Sequence, residues 1–140
     1  MADPVRPVNT AMAVAASALR AQQGRMRVIA ENIANADSIA TTAGGDPYRR
    51  QLPTFEPDRI VPGVTGVRMT GIREDPTPFK TEYDPGHPAA DAQGYVKTPN
   101  VDPLIEALDM REASRAYEAN LNVIETARSM QSRTLDILKK

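Results

Sequence analysis

The uneven distribution of proline and glycine constrains the fold of this chain more than any other feature. Residues 36–100 hold nine of the 12 prolines and seven of the 8 glycines. Proline removes a backbone donor, and glycine costs about 1 kcal/mol in a helix interior, so long helices are disfavoured in this stretch. Helical periodicity survives at the two ends. The sequence therefore predicts a helix, an irregular insert and a second helix.

A heptad pattern runs through the N-terminal segment, residues 1–38. Apolar residues, with one glutamine among them, recur at alternating steps of four and three: Val8, Met12, Ala15, Leu19, Gln22, Met26, Ile29 and Ile33. A 3.5-residue repeat keeps one seam of a helix facing a partner helix. The pattern predicts a coiled-coil helix, with Asn9 or Thr10 as its N-cap.

The C-terminal segment, residues 101–140, predicts a longer helix with Asp102 as its N-cap and Pro103 at the first helical position, although Asn100 could be the N-cap instead. One apolar stripe consists of Met110, Ala113, Tyr117, Leu121, Ile124, Arg128, Gln131, Leu135 and Leu138. A second consists of Val123, Ala127, Met130, Thr134 and Ile137. Two helices cannot bury three stripes against each other, so apolar surface is expected to remain for other chains.

The segment between the helices, residues 39–100, is predicted to be a small β-rich insert. Strand-like stretches cover residues 48–55, 66–72 and 79–83, with turn-forming sequences between them. So many prolines exclude a large sheet. The predicted fold class is mainly α, with the terminal helices paired as a coiled coil around an irregular β-rich insert.

Composition excludes several functions. The 17 basic and 18 acidic residues give no basic excess for nucleic acid or anionic membranes, and no apolar run is long enough for a transmembrane segment. The chain has no cysteine. His87 is the single histidine and lies between proline-rich turns, so we expect a rigid-turn residue and not the base of a small hydrolase. No enzyme activity, cofactor or metal is expected.

Charged residues of the insert are expected to be solvated. This applies to the carboxylates Glu74, Asp75, Glu82 and Asp84 and to the arginines Arg49, Arg50, Arg59, Arg68 and Arg73. If the arginines bind anything, the expected counterparts are acidic surfaces of adjacent subunits.

Asn32 and Asn35 stand at the end of the first helix, where asparagine is unfavourable in the interior. Asn35, followed by Asp37, is suited to ending a helix and starting a turn. Alternatively, both amides form hydrogen bonds with neighbouring subunits, since a buried asparagine in a coiled-coil seam fixes register. Both roles remain open at this point. Asn120, one position from the first stripe of the second helix, is also a candidate for a hydrogen bond to a neighbouring subunit.

Three segments resemble the bacterial flagellar rod and hook family. Residues 17–38, SALRAQQGRMRVIAENIANADS, are similar to its N-terminal signature, a heptad helix that ends in an Asn-Leu/Ile-Ala-Asn turn. Ser38 stands where threonine is commoner. Residues 83–102, YDPGHPAADAQGYVKTPNVD, resemble the small proximal-rod members of that family, and residues 109–130, DMREASRAYEANLNVIETARSM, resemble its C-terminal helix.

The resemblance implies a structural subunit of the flagellar basal-body rod, the helical drive shaft that crosses the periplasm around an export channel. In that family the terminal helices form an inner coiled-coil layer, and subunits pass through the flagellar type III export apparatus without signal-peptide cleavage. Implied partners are copies of the chain, homologous rod subunits, ring and rod-adaptor proteins, and the export apparatus. The alternative is a soluble coiled-coil adaptor or an export chaperone that stays in the cytoplasm.

The predicted subunit-interface residues combine the helical stripes with the asparagines. They are Met12, Leu19, Met26, Ile29, Asn32, Ile33, Asn35, Met110, Tyr117, Asn120, Leu121, Ile124, Met130 and Leu135.

Overall fold

A computed structural model describes residues 6–140 and has the predicted order of helix, insert and helix. Its elements are α1 (Arg6–Ala34), β1 (Gln51–Val61), β2 (Val64–Glu74), β3 (Lys80–Tyr83), β4 (Tyr95–Thr98) and α2 (Pro103–Leu138). The first five residues of the predicted N-terminal segment lie outside the described residues. Within residues 6–140, neither helix contains a stretch apolar enough to cross a membrane.

Helix α1 begins earlier than the sequence predicted. It starts at Arg6, and the hydroxyl of Thr10 donates to the Arg6 carbonyl at 2.9 Å, so Thr10 lies inside the first turns. The prediction of Asn9 or Thr10 as N-cap was therefore wrong. Pro7 lies in the first helical turn, where its missing N–H costs no intrahelical hydrogen bond.

The start of α2 was predicted correctly. The backbone N–H of Leu104 donates to the Asp102 carboxylate at 3.0 Å, as expected for an N-cap, and Pro103 is the first helical residue. Aspartate is among the best residues for this position because its side chain accepts from an N–H that has no partner in the helix.

The insert contains two two-stranded sheets. β1 and β2 are joined by a two-residue turn at Pro62 and Gly63, and Gly63 has φ 79°, which favours glycine. β3 and β4 pair antiparallel, from Lys80 opposite Thr98 to Tyr83 opposite Tyr95. The sequence analysis missed β4, which has four residues and no clear alternation. It also predicted β1 too short.

The chain divides into two compact units, each of which contains part of both helices. Unit 1 comprises Met1–Arg25, Thr54–Gly71 and Glu112–Lys140, and unit 2 comprises Met26–Pro53 and Ile72–Arg111. Among the described residues, the buried apolar side chains of unit 1 are Ala15, Ala21, Ala113 and Ala127. Those of unit 2 are Val28, Ile29, Ala89, Val96 and Val101.

The buried face of α1 differs from the predicted heptad seam. Its buried residues are Ala15, Ser17, Ala21, Val28, Ile29 and Asn32, of which two belong to the seam. In unit 1 this face packs on β2: the Val67 N–H donates to the Ser17 hydroxyl at 3.2 Å, and the Met69 side chain lies against Gly24. Small helical residues allow this close approach, which explains the glycine in the helix.

The two helices run antiparallel within unit 1. Arg25 of α1 is 3.5 Å from Glu112 in the first third of α2, whereas Pro7 and Ala11 lie beside Val123 and later residues of α2. Coiled-coil pairing in the strict sense stays a prediction.

Candidate functional site

A buried group of hydrogen-bonded side chains lies in unit 2, and we call it the polar cluster. Its members are Asn32, Tyr48, Arg50, Asp75, Asn100 and Glu106. Glu106, in the first turn of α2, has no exposed surface. One of its carboxylate oxygens accepts from Arg50 Nε, and the other accepts from Asn32 Nδ2 at 3.1 Å. A buried carboxylate requires such partners, because an unpaired buried charge is very costly.

Asn32 uses its whole amide within its own chain. Its Nδ2 also donates to the Gln51 carbonyl at 2.9 Å, while Oδ1 accepts from the Tyr48 hydroxyl at 2.8 Å and from the Gln51 N–H at 2.9 Å. The side chain is 1% exposed. The sequence analysis expected partners in a neighbouring subunit. In this structure the partners belong to the same chain and attach the end of α1 to the start of β1.

Asn35 has the terminating role that the sequence offered as one of two possibilities. Both its backbone N–H and its Nδ2 donate to the Glu31 carbonyl, at 3.1 and 2.8 Å. These bonds satisfy one of the carbonyl groups that have no partner at a helix end. The interface role of Asn35 stays a prediction.

Arg50 is the positively charged residue of the polar cluster and pairs with its carboxylates. Besides Glu106, it contacts Asp75 at 3.1 Å and Asp109 at 3.5 Å. Burial alone would lower the pKa of Arg50, but hydrogen bonds to Glu106 and Asp75 outweigh that effect and raise the pKa. The expectation of a solvated Arg50 was wrong, because three carboxylates from distant parts of the sequence surround it.

Asp75 was also predicted to be solvated, and it is buried instead. Its Oδ1 accepts from both the hydroxyl and the backbone N–H of Thr77. These two bonds, followed by the Arg50 guanidinium, hold the pKa of Asp75 below its ordinary value of 3.8. Burial raises the pKa of the Tyr48 hydroxyl, and the nearby charges of Glu31 and Glu106 act in the same direction.

Arg49 and Asn100 complete the attachment of the insert in unit 2. Arg49 Nη1 donates to the carbonyls of Asp75 and Thr77 at 3.0 Å each, and its guanidinium lies 4.1 Å from the centre of the Phe79 ring. Asn100 accepts from the Arg50 N–H at 2.7 Å. The expectation of a solvated Arg49 was therefore wrong. These contacts hold backbone segments in place and present no nucleophile and base to a substrate.

His87 lies in a turn, as predicted. The ring atom Nδ1 of His87 accepts a hydrogen bond from the Ala89 backbone N–H at 3.0 Å, and the backbone N–H of His87 donates to the Asp84 carbonyl at 3.1 Å. Because Nδ1 is occupied as an acceptor, the ring has a structural task in the turn.

The predicted interface residues differ in exposure. Ile33, Leu121, Met130 and Leu135 are exposed, and Ile29 and Asn32 are buried. Half-buried side chains are Met12, Leu19, Met26, Asn35, Met110, Tyr117, Asn120 and Ile124. The amide of Asn120 donates to the Ala116 carbonyl of its own helix at 2.7 Å.

An apolar groove of about 440 Å³ lies between the helices in unit 1. Its lining residues are Pro7, Val8, Ala11, Asn122, Val123, Thr126, Ala127 and Met130. Of these, the predicted interface list contained Met130 alone. The neighbours of Met130 in the groove are Val123 and Ala127 of the second stripe, Asn122 and Thr126 beside that stripe, and residues of the first two turns of α1. The periodicity of each helix was analysed separately, so it could not predict a groove that residues of both helices line.

The polar cluster contains two residues that the sequence analysis did not single out, Tyr48 and Glu106, and Asn100, which it named only as an alternative N-cap. Glu106 gave no usable signal, because an acidic residue in the first turn of a helix is ordinarily explained by the helix dipole. Its partner Arg50 is 56 positions away.

Both family models that match this chain, and the relatives described below, are flagellar basal-body rod proteins. A family model described as the flagellar basal body rod FlgEFG protein C-terminal region matches residues 92–137, and one described as flagella basal body rod protein matches residues 12–38. Relatives named flagellar basal-body rod protein FlgC occur in several bacteria. The relative from Agrobacterium fabrum is 50% identical over 135 residues, which cover 95% of this chain and 96% of the relative.

Two further relatives carry the same name. The one from Salmonella typhimurium is 45% identical over 125 residues, covering 89% of this chain and 92% of the relative. The one from Borreliella burgdorferi is 42% identical over 144 residues, covering 90% and 94%.

Proposed function

The chain belongs to the FlgC family of flagellar basal-body rod proteins, and we propose that it polymerises through its terminal helices into the proximal rod. The rod would cross the periplasm as a helical drive shaft around the export channel. Family membership makes the chain a structural subunit of the basal-body rod. Polymerisation through the helices is the step that the following observations support.

The observation that carries this proposal is the composition of the buried part of unit 1. Among the described residues, its buried apolar side chains are all alanines, although the unit contains most of α2. Large apolar side chains near the end of α2 are exposed: Leu135 by 45%, Ile137 by 74% and Leu138 by 69%. Burial of a Leu or Ile contributes about 1.5–3 kcal/mol, so covering these residues would favour association.

The apolar groove is the proposed contact surface in unit 1. Its alanines allow a neighbouring helix to approach closely, and Val123 and Met130 offer exposed apolar area of 45% and 54%. The predicted interface residues of both helices remain part of this proposal. Partners are copies of the chain, homologous rod subunits, ring and rod-adaptor proteins, and the type III export apparatus, which would export the chain without signal-peptide cleavage.

The alternative is a soluble coiled-coil adaptor or export chaperone, which would use the same exposed stripes to bind partner helices. It differs in location: a chaperone would remain in the cytoplasm, whereas a rod subunit would copurify with basal bodies. Cell fractionation followed by quantification of the chain in purified basal bodies separates the two.

Met130→Asp tests the groove, and Ser129→Asp is its matched control. Both introduce one carboxylate at adjacent exposed positions of α2, but Met130 lines the groove and Ser129 does not. A charge in an apolar contact is strongly unfavourable. We expect Met130→Asp to lower the amount of chain in basal bodies at least tenfold and to abolish motility, and Ser129→Asp to change the amount by less than twofold. Equal incorporation of the two variants would contradict the proposed contact.

A further inference from the structure

The first two turns of α2 carry exposed apolar side chains, Leu104, Ile105 and Leu108, which we call the α2-start patch. Each of the three is at least half exposed. Leu108 is four residues from Leu104 and three from Ile105, which are the spacings that bring side chains together on a helix surface. The neighbouring Glu106 belongs to the polar cluster and is buried. The helix therefore packs on its own chain through another side and leaves this patch uncovered in unit 2.

The last turn of α2, in unit 1, carries a second set of this kind, Leu135, Ile137 and Leu138, which we call the α2-end patch. All three are exposed, and Ile137 and Leu138 are more than two-thirds exposed. Among residues 6–140, these two patches are the only places where three large aliphatic side chains within five consecutive positions are all exposed. Covering either patch would remove apolar surface from water, which favours association.

The α2-start patch has acidic surroundings. The stretch from Asp102 to Asp109 includes three carboxylates, those of its end residues and of Glu106, and no basic residue. Arg50 pairs with Glu106 and Asp109, but it is shared with a third carboxylate, that of Asp75. Asp102 is exposed and forms no ion pair in the part of the chain that the structure describes. An excess of negative charge therefore flanks this patch.

The α2-end patch has basic surroundings. The stretch from Arg133 to Lys140 contains three basic residues, Arg133, Lys139 and Lys140, and one acidic residue, Asp136. All four are exposed, and none of the three cations forms an ion pair within residues 6–140. The two patches are thus alike in being apolar and opposite in the sign of the charge around them.

The basic excess distinguishes the α2-end patch from every other exposed large apolar side chain among the described residues. Segments 31–39 and 82–95, which carry exposed isoleucines and tyrosines, contain acidic residues and neither lysine nor arginine. Residues 117–130, which include Leu121, Val123 and Met130, contain two acidic residues and one basic residue. Strands β1 and β2 contain three of each. The α2-end patch is therefore the exposed apolar surface of this chain whose charge complements the α2-start patch.

We propose that the α2-start patch of one copy of this chain binds the α2-end patch of a second copy. This inference rests on the proposed function, because it names a contact between rod subunits. Apolar burial supplies the attraction, and the ammonium groups of Lys139 and Lys140 interact favourably with the carboxylates beside the α2-start patch. Two α2-start patches would bring carboxylates together, and two α2-end patches would bring cations together, so the mixed pair is favoured.

The contact joins two different surfaces, so a copy that has bound one neighbour still offers its second patch to another. Head-to-tail contacts of this kind generate rings if the rotation closes and open helices if it does not, and an open helix is the geometry of a rod. No residue of either patch lines the apolar groove, so the groove remains available for a separate contact.

Disulfide cross-linking between two marked copies tests the contact, because the chain has no cysteine of its own. Full-length chains with Leu104→Cys and with Ile137→Cys, each carrying a different epitope tag, are made in the same cells, and purified basal bodies are oxidised mildly. A disulfide requires Cα atoms within about 7 Å of each other. We expect linked pairs that contain both tags, and at least about tenfold less linkage when either variant is present alone.

A second cysteine pair, Leu108→Cys with Leu138→Cys, covers a shift of the contact along the helices. The matched control replaces Leu104→Cys by Gln93→Cys. Gln93 is also exposed in unit 2, but it precedes β4, whereas α2 begins after β4. We expect the linkage of Gln93→Cys to Ile137→Cys to stay at the level of a single variant. Circular dichroism of the purified variants checks that each one folds.

The outcomes separate this contact from the proposed function. Basal bodies that contain both cysteine chains without mixed-tag linkage by either pair, or with equal linkage to Gln93→Cys, would overturn the contact and leave the proposed function intact. Efficient linkage of Leu104→Cys chains to one another would also overturn it, because like patches would then meet. Absence of the wild-type chain from basal bodies would overturn the proposed function and this contact with it.

Charge reversal tests why these two patches select each other. Lys139→Glu, introduced into the Ile137→Cys chain, is expected to lower mixed-tag linkage at least about threefold, because it brings a carboxylate towards the acidic surroundings of the α2-start patch. Arg128→Glu is the matched control, since Arg128 is an exposed cation of the same helix outside the patch. It is expected to change linkage by less than about 1.5-fold. Equal losses for the two reversals would contradict the charge pairing on which the choice of partner depends.

Discussion

The two units of this chain are stabilised by different kinds of interaction. Unit 2 buries valine and isoleucine side chains together with a charged residue, Glu106, whose hydrogen bonds are satisfied by Arg50 and Asn32. Unit 1 buries alanines and leaves its large apolar side chains at least partly exposed. Unit 2 therefore has a core of branched apolar and paired charged side chains, although Leu104, Ile105 and Leu108 at the start of α2 are exposed. In unit 1 the described buried apolar side chains are all alanines, which agrees with the proposal that its helices associate with other chains.

Removal of Arg50 gives the largest expected effect and tests whether unit 2 depends on its charges. Arg50→Ala would leave the fully buried Glu106 carboxylate without its cationic partner, and breaking a buried pair in this way costs about 3–5 kcal/mol. Urea unfolding of the purified chain measures the loss. The control Arg68→Ala removes an exposed arginine beside Asp58 and is expected to cost less than about 1 kcal/mol. A similar loss for both variants would show that the polar cluster is not what stabilises unit 2.

Asn32→Ala is expected to have the next largest effect. It leaves the Tyr48 hydroxyl and the Gln51 N–H without their partner, and unsatisfied buried groups cost about 1–3 kcal/mol each. Because water can reach part of this site, the free energy of unfolding is expected to fall by about 2–3 kcal/mol. Asn35→Ala, at an exposed helix end, is the control and should cost no more than about 1 kcal/mol. If Asn32→Ala unfolds like the wild type but fails to assemble, the interface role would be the correct one.

Hydrogen exchange compares the two units directly within each helix. Backbone amides in residues 6–25 of α1 and 118–138 of α2 are expected to exchange at least about tenfold faster than those in 26–34 and 106–111. That ratio corresponds to about 1.4 kcal/mol less protection, which follows from the smaller apolar burial of unit 1. Exchange measured by mass spectrometry on the purified chain gives the answer. Uniform protection along both helices would remove the contrast between the units.

Acid should weaken unit 2 through Asp75, with the smallest of these effects. Because the pKa of Asp75 is lower in the folded chain than its ordinary value of 3.8, its ionisation stabilises the fold above that pH. This contribution is lost as the pH falls below 3.8 towards the folded pKa. Asp75→Asn keeps an acceptor for Thr77 but lacks the charge. Its melting temperature should lie a few degrees below that of the wild type at pH 7, and the gap should narrow below pH 3.8.

The helices could be predicted from the sequence because their determinants are local. The 3.6-residue periodicity, the Asp102 cap and the depletion of proline at the ends all act within a few positions. The start of α1 was predicted too late because a proline such as Pro7 occurs both in the first turn of a helix and in the segment that precedes a helix. The strand β4 was missed because four residues carry too little pattern.

The polar cluster could not be predicted, since its determinants are distant in sequence. Arg50 and Asp75 have the pattern of ordinary surface charges, and the carboxylate partners of Arg50 lie 25 to 59 positions away in sequence. The apolar groove had the same difficulty, because its walls come from opposite ends of the chain. The heptad seam of α1 was a real pattern, but the small residues Ser17, Ala21 and Gly24 decided which side packs on the sheet in unit 1.

Arg49 and Arg50, adjacent in sequence, have very different surroundings. Arg49 contacts two backbone carbonyls and the Phe79 ring, whereas Arg50 contacts three carboxylates. Adjacent residues of an extended segment point to opposite sides, and a shift of the segment before β1 by one position could place Gln51 where Arg50 lies. In that register Glu106, Asp75 and Asp109 would lose their counter-ion. The need to keep a cation beside the buried Glu106 therefore favours one register of the segment that leads into β1.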